Sequence, residues 1–200
     1  GRGVDSVAFV YGRTGVGAGL MYKGRVFRGS SKGAGEIGHN AMLLEGGEPC
    51  RCGNNGCLET LISESALLRE ATAIAKSNPD GMLAGLLDNA ENSPIECVFE
   101  AARQGDSQVL EMIQERGCYL GMALANLINL FNPELILLGG IFSRAGDLFL
   151  EPVTRTIQQR AFGGMGKTVR VQSTSFGWGA GVIGAGALAL LTFFYQQIED

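Results

Sequence analysis

Three cysteines crowd into eight residues, at Cys50, Cys52 and Cys57, and the chain's single histidine, His39, precedes them by eleven positions. One imidazole and three thiolates make a closed tetrahedral donor set, which suits a structural zinc ion. Pro49 and Gly53 bend the loop so that the thiolates can converge. Free cysteines are common as core residues, but this stretch is polar and glycine-rich, unlike a core segment. The remaining two of the five cysteines, Cys97 and Cys118, fall in helical patterns and are read as packing residues. Clustering of this kind points to a metal site in a reducing compartment rather than a disulfide framework.

Two carboxylates flank the donor set. Glu36 lies three residues before His39, and Glu59 two residues after Cys57. A zinc-bound imidazole keeps one ring nitrogen for a further hydrogen bond, and carboxylates accept well from hydroxyls. Glu36, His39 and Glu59 can therefore grip a polyol. Equally, Glu36 and Glu59 can support the metal or simply face solvent, and the residues alone leave both open.

The elements that must hold these groups follow from the apolar pattern. Val7 to Tyr11 reads as a buried strand, Gly12 to Gly15 as a turn, Val16 to Tyr22 and Arg25 to Phe27 as two further strands joined at Lys23-Gly24. A loop over 29–35 follows, with a short strand expected over 40–44. Ser63 is placed as a helix cap ahead of an apolar face of Ala66, Leu67, Ala71, Ile74 and Ala75, and 78–81 breaks that helix. The stretch 82–93 reads as a loop with a helical turn. Helices are expected over 95–103, opened by Ser93-Pro94, and over 107–131, stopped by Asn132-Pro133. Leu135 to Leu138 has the fully apolar character of a central parallel strand. A helix over 148–160, a strand over 169–172 and a helix over 179–195 complete an α/β lobe with a mixed sheet and covering helices.

Composition bounds the function. The 200 residues carry a net charge of −4, with no basic stripe, which argues against direct nucleic-acid binding. At 46% hydrophobic, the chain is not disordered. Phe176 to Tyr195 is uncharged and long enough on paper to span a bilayer, but five of its twenty residues are glycine. The segment from Val182 on is expected to be a buried core helix, with no membrane contact. Glycine is over-represented, 31 of 200, against about 7% on average. It gathers at the turns and loops where backbone must approach something closely. The start at Gly1-Arg2-Gly3 carries no signal peptide and looks like a cut within a longer, cytoplasmic protein.

Arg28-Gly29 followed by Gly35-Glu36-Ile37-Gly38-His39, then Cys50-Arg51-Cys52-Gly53-Asn54-Asn55-Gly56-Cys57-Leu58-Glu59, resembles the signature of the ROK family of repressors, open reading frames and kinases. Asn129 to Ile136, Arg144 to Asp147 and the Gly/Ala-rich last helix extend the likeness along the whole chain. The resemblance implies an actin-like, ribonuclease-H-like fold, with residues 1–200 forming the C-terminal lobe and a zinc loop inserted over 38–58. It implies sugar contacts from Glu36, His39 and Glu59, and zinc held by His39, Cys50, Cys52 and Cys57. It places nucleotide-type turns at Thr14 and Gly15 and at Gly139 and Gly140.

In the kinases of this family, a phosphate motif and a catalytic aspartate come from the other lobe, and both would lie before residue 1. Here Arg13 stands where the phosphate turn usually has glycine, and Ile141 follows Gly139-Gly140 where a third glycine is usual. The sugar side thus looks intact and the nucleotide side altered. This favours the effector-binding part of a sugar-responsive transcriptional regulator, with any DNA-binding domain upstream and a homodimer or tetramer expected. The alternative is part of a sugar kinase, which brings in ATP. A zinc-stabilised module with no ligand is the plainest reading.

Overall fold

A computed structural model describes residues 3–88, 93–191 and 193. Strands β1 (Ser6–Gly12), β2 (Val16–Tyr22), β3 (Arg25–Phe27), β4 (Leu135–Gly140) and β5 (Arg170–Ser173) form one sheet in the order β3-β2-β1-β4-β5. The hairpins β1–β2 and β2–β3 are antiparallel, whereas β4 runs parallel to both β1 and β5. The sheet is mixed, as expected. Lys23 and Gly24 both take positive φ between β2 and β3, the conformation that a tight two-residue hairpin turn requires. The register sets Val7 against Leu135 and Gly12 against Gly140. β1 and β4 therefore end side by side.

The helices are α1 (Leu58–Ile62), α2 (Glu64–Ser77), α3 (Met82–Asp88), α4 (Pro94–Arg103), α5 (Ser107–Phe131), α6 (Ile141–Ala145), α7 (Asp147–Arg160), α8 (Met165–Thr168) and α9 (Ala180–Leu190). Their limits follow local chemistry. The Ser63 hydroxyl accepts the Ala66 N–H at the start of α2, and the Asp106 carboxylate accepts the Val109 N–H at the start of α5. Asn132 closes α5 in the left-handed conformation, a common helix ending. The core lies between sheet and helices, where Phe99, Phe142, Phe149, Leu58, Leu124 and Ile128 are fully buried. α5 and α7 approach closely because the contact side of α5 carries glycines. A Cβ at Gly121 would lie 2.5 Å from the Thr156 Cβ, and one at Gly117 would lie 2.6 Å from the Pro152 ring.

The structure departs from the sequence-based expectations at several points. Residues 40–44 form no strand. Ala41 makes a single bridge to Cys57, because the chain around Cys57 turns at once into α1 and offers no length for a ladder. Met82–Asp88 is a helix rather than a turn, since Leu83 is buried and Leu86 and Leu87 pack against the core. Residues 89–92 lie outside the described region. α6 is additional, and it buries Ile141, Phe142 and Ala145. The last helix is not a core helix. Val182 is 77% exposed and Leu190 52%, with only Ala180 buried along α9. Positions 192 and 194–195 of the expected helix lie outside the described residues. Among the described residues, no helix is long and apolar enough to cross a membrane.

Gly121→Val forces a branched side chain into Thr156. It is expected to lower stability by about 1–3 kcal/mol, read as a shift in the denaturant midpoint of the metal-loaded protein.

Candidate metal and sugar site

The site begins where the loop after β3 returns to the sheet. Gly35 accepts the Ala18 N–H through its carbonyl at 2.7 Å and takes φ +93°. A Cβ there would fall 1.8 Å from the Ala18 carbonyl oxygen, so only glycine lets the chain lie against β2 and turn. The chain then enters a single 3-10 turn, Ile37–His39, anchored by buried Ile37. Glu36 projects outward, 66% exposed, with a carboxylate oxygen 3.9 Å from His39 Nε2. The opposite ring nitrogen, Nδ1, faces Cys50 Sγ at 3.5 Å. The histidine thus presents one nitrogen to the thiols and the other to Glu36.

The cysteine loop is a small knuckle. The Gly53 N–H donates to the Cys50 carbonyl at 2.9 Å, the Cys50 N–H to the Asn54 carbonyl at 2.7 Å, and the Gly56 N–H to the Glu48 carbonyl at 3.0 Å. These bonds place Cys52 Sγ and Cys57 Sγ 3.6 Å apart. One ligand atom from each of His39, Cys50, Cys52 and Cys57 lies within 4.8 Å of all the others. Tetrahedral zinc with bonds of about 2.3 Å to sulfur needs sulfurs about 3.8 Å apart, so spacing and donor chemistry both fit that ion. The two neighbouring thiols differ. The Asn54 backbone N–H lowers Cys52 below the ordinary thiol range, whereas burial, with Cys52 and Cys50 alongside, pushes Cys57 up to about 12. Cys57 must therefore lose a proton when a cation binds.

Glu59 lies in α1, and its side chain is only 10% exposed. Its carboxylate reaches under the β1–β2 turn, where Oε2 accepts the Val16 N–H at 2.9 Å. Arg51, from the cysteine loop, approaches from the other side, with Nε 3.1 Å from Oε1 and Nη2 3.5 Å from Oε2. Of the three residues expected to contact sugar, Glu36 and His39 face each other. Glu59 is already engaged by Val16 and Arg51. It also lines a cavity of about 190 Å³ together with Thr14, Cys50, Arg51, Ser65 and Arg69.

The two nucleotide-type turns come together. Thr14 and Gly15 join β1 to β2, and Gly139 and Gly140 end β4 beside them. Both turns lie at the carboxyl ends of adjacent parallel strands, a place where ligands bind in open α/β sheets. Gly140 has φ +65°, and a Cβ on it would sit 2.0 Å from the Gly12 carbonyl oxygen, so this glycine serves close strand packing. Ile141 does not obstruct the turn, contrary to the expectation from its bulk: it is fully buried, inside the core. The alteration on this side rests with Arg13, whose guanidinium lies 5.2 Å from the centre of the Trp178 ring. Sequence reasoning missed the roles of Arg51 and Trp178. Arg51 was visible between two cysteines, but nothing in the spacing aims it at Glu59, and Trp178 is 165 positions from Arg13.

The model of the ROK family matches residues 1–191, and the chain belongs to this family. It is 37% identical over 188 residues to a glucokinase of Halalkalibacterium halodurans, covering 94% of this chain and 57% of that protein. It is 36% identical over 148 residues to the xylose repressor of Caldicellulosiruptor bescii, covering 74% of this chain and 37% of that one. Among solved structures, a ROK family glucokinase from Streptomyces griseus, in complex with glucose and AMPPNP, superposes with a TM-score of 0.81 at 32% identity, covering 94% and 61%. The chain thus spans less than two thirds of each relative, and kinases and repressors resemble it to a similar degree.

Reconstitution is expected to reach one zinc per chain by elemental analysis, and Cys57→Ser is expected to lose it. Because Cys57 must give up a proton that burial holds tightly, apparent zinc affinity should fall steadily as pH drops from 8 to 6. A competition titration that shows no pH dependence would contradict this ligand assignment.

Proposed function

We propose that this chain is the sugar-binding effector part of a cytoplasmic ROK transcriptional regulator. Glu36, His39 Nε2 and Glu59 contact sugar hydroxyls. His39 Nδ1, Cys50, Cys52 and Cys57 hold a structural zinc ion that keeps the loop in shape. Zinc supplies no chemistry to the sugar in this reading. It fixes the imidazole so that Nε2 is the nitrogen left for the ligand. DNA is reached only through another part of the protein, and the protein works as a homodimer or tetramer. Sugar acts by favouring one arrangement of the parts over another, and the shift is limited by its difference in affinity for the two.

The observation that carries this reading is Arg13 lying over Trp178. The contact spans from the β1–β2 turn to the segment after β5, across the side where the resemblance places a nucleotide. A cation–π contact of this kind contributes about 0.5–1 kcal/mol at an exposed site, and a nucleotide entering there has to displace it. The kinase reading has its own support. The paired strand ends at Gly12 and Gly140 lie in register, and buried Ile141 leaves that turn free of bulk. On that reading the chain is part of an ATP-dependent sugar kinase.

Calorimetry and thermal melting on the zinc-loaded protein separate the two. The probes are glucose, xylose and N-acetylglucosamine, sugars that relatives' names carry, and a non-hydrolysable ATP analogue. At least one sugar is expected to raise the melting temperature, and the ATP analogue is expected not to bind. Glu36→Gln and Glu59→Gln should each weaken that sugar by about ten-fold or more, the usual cost of losing a charged acceptor. ATP-dependent phosphorylation of any of these sugars by the full-length protein would overturn the regulator reading in favour of the kinase.

A further inference from the structure

The metal cluster and its loop bring two side chains to the sugar-type site, His39 and Arg51, and only His39 is accounted for by metal binding. Arg51 stands between Cys50 and Cys52, so its backbone is pinned on both sides by groups that converge on one point. Its guanidinium leaves the loop and meets both oxygens of Glu59, one nitrogen to each, at 3.1 and 3.5 Å. A planar guanidinium engaged in this way fixes the plane of the carboxylate as well as its position. Glu59 Oε2 is held from the opposite side by the Val16 N–H at 2.9 Å. Gly15 closes the third side: a Cβ there would lie 2.8 Å from Oε2 and 3.2 Å from Arg51 Nη2.

We propose that Arg51 is a positioning residue for sugar binding, holding the Glu59 carboxylate in the orientation in which it receives a sugar hydroxyl. The proposal rests on the reading of Glu59 as a sugar ligand given above. A carboxylate offers about four acceptor sites. The Val16 N–H and Arg51 Nη2 occupy two of them on Oε2, and Arg51 Nε faces Oε1 as an ion pair at 3.1 Å, so the directions left for a hydroxyl donor are set by these neighbours. Arg51 is itself 71% exposed, and the buried Glu59 carboxylate keeps the Val16 N–H when the guanidinium is gone, so little folding stability rests on Arg51. Its contribution is therefore to pre-organisation, which appears in ligand affinity because an ordered acceptor loses less freedom on binding. The metal cluster then acts on the sugar at two points, through the His39 ring and through the Arg51–Glu59 pair.

The test uses zinc-loaded protein and calorimetric titration with glucose, xylose and N-acetylglucosamine on wild type, Arg51→Met, Arg51→Lys, Glu59→Gln and the double variant Arg51→Met/Glu59→Gln, with zinc content and melting temperature measured on each. Arg51→Met is expected to keep one zinc and its melting temperature while weakening the bound sugar about three- to ten-fold, the range of coupling between contacting side chains. Arg51→Lys should recover part of the loss. In the Glu59→Gln background, Arg51→Met should change affinity by less than about two-fold. Unchanged or tighter sugar binding by Arg51→Met, beside a clear loss in Glu59→Gln, overturns the positioning role and leaves the sugar reading intact. Loss of zinc in Arg51→Met overturns it too, since the effect would then run through the metal. No effect of Glu59→Gln, or no binding of any of the three sugars to wild type, overturns the sugar reading and this proposal with it.

Discussion

A carboxylate is costly to remove from water unless donors replace the lost hydration. Glu59 is largely buried, and two donors from separate parts of the chain meet it: the Val16 N–H on β2 and the Arg51 guanidinium on the cysteine loop. The site depends on this constraint. It ties α1 to the β1–β2 turn and the turn to the cysteine knuckle, and it adds to the Cys57 cap of α1 and the Glu64 N–H bond to the Arg13 carbonyl in holding the three together. Without the Arg51 guanidinium the carboxylate keeps the Val16 N–H and is free to turn about it.

The other side of the site is built on strand pairing. Because β1 and β4 run parallel and in register to their last residues, the turn at Thr14 and the turn at Gly139 open at the same end of the sheet. The cysteine knuckle, Glu59, the β1–β2 turn and the end of β4 form a continuous path along that end. A change of ligand at Glu59 is one hydrogen bond away from the turn that carries Arg13, and Arg13 contacts Trp178.

Much of this was legible in the residues. The strands of the mixed sheet were, because their runs are short and most end at turn residues such as Gly12, Lys23-Gly24 and Gly139-Gly140. The limits of α5 were, because Asp106 and Asn132-Pro133 are strong local signals. The donor set His39, Cys50, Cys52 and Cys57 was, because few other arrangements bring those residue types so close in sequence, and the structure gathers them. What escaped was set by tertiary contact. Residues 40–44 have strand composition but no partner of sufficient length. Ile141 looked like an obstruction and is core, because the five residues after β4 coil into a helix that turns it inward. The apolar run of α9 resembled a core helix, yet none of the described elements crosses over it. The grip of Arg51 on Glu59 depends on the fold of an eight-residue loop, and spacing alone does not encode the direction of a side chain.

The parallel pairing of β1 with β4 also shapes how the chain reaches its folded state. Val7 waits for Leu135, 128 residues later. From the completion of β3 at Phe27 to the start of β4 at Leu135, at about 5–20 residues per second, the hairpins spend roughly 5–22 seconds with the inner edge of β1 unpaired. That edge carries Val7, Ala8 and Val10, all buried in the finished sheet, and an open apolar edge recruits other strands. On the opposite side, the short outer strand β3 begins at Arg25, with Lys23 before it and Arg28 after it, and cations at a strand edge oppose such recruitment. The hairpins therefore emerge with one guarded edge and one open one, and the arrival of β4 closes the open one.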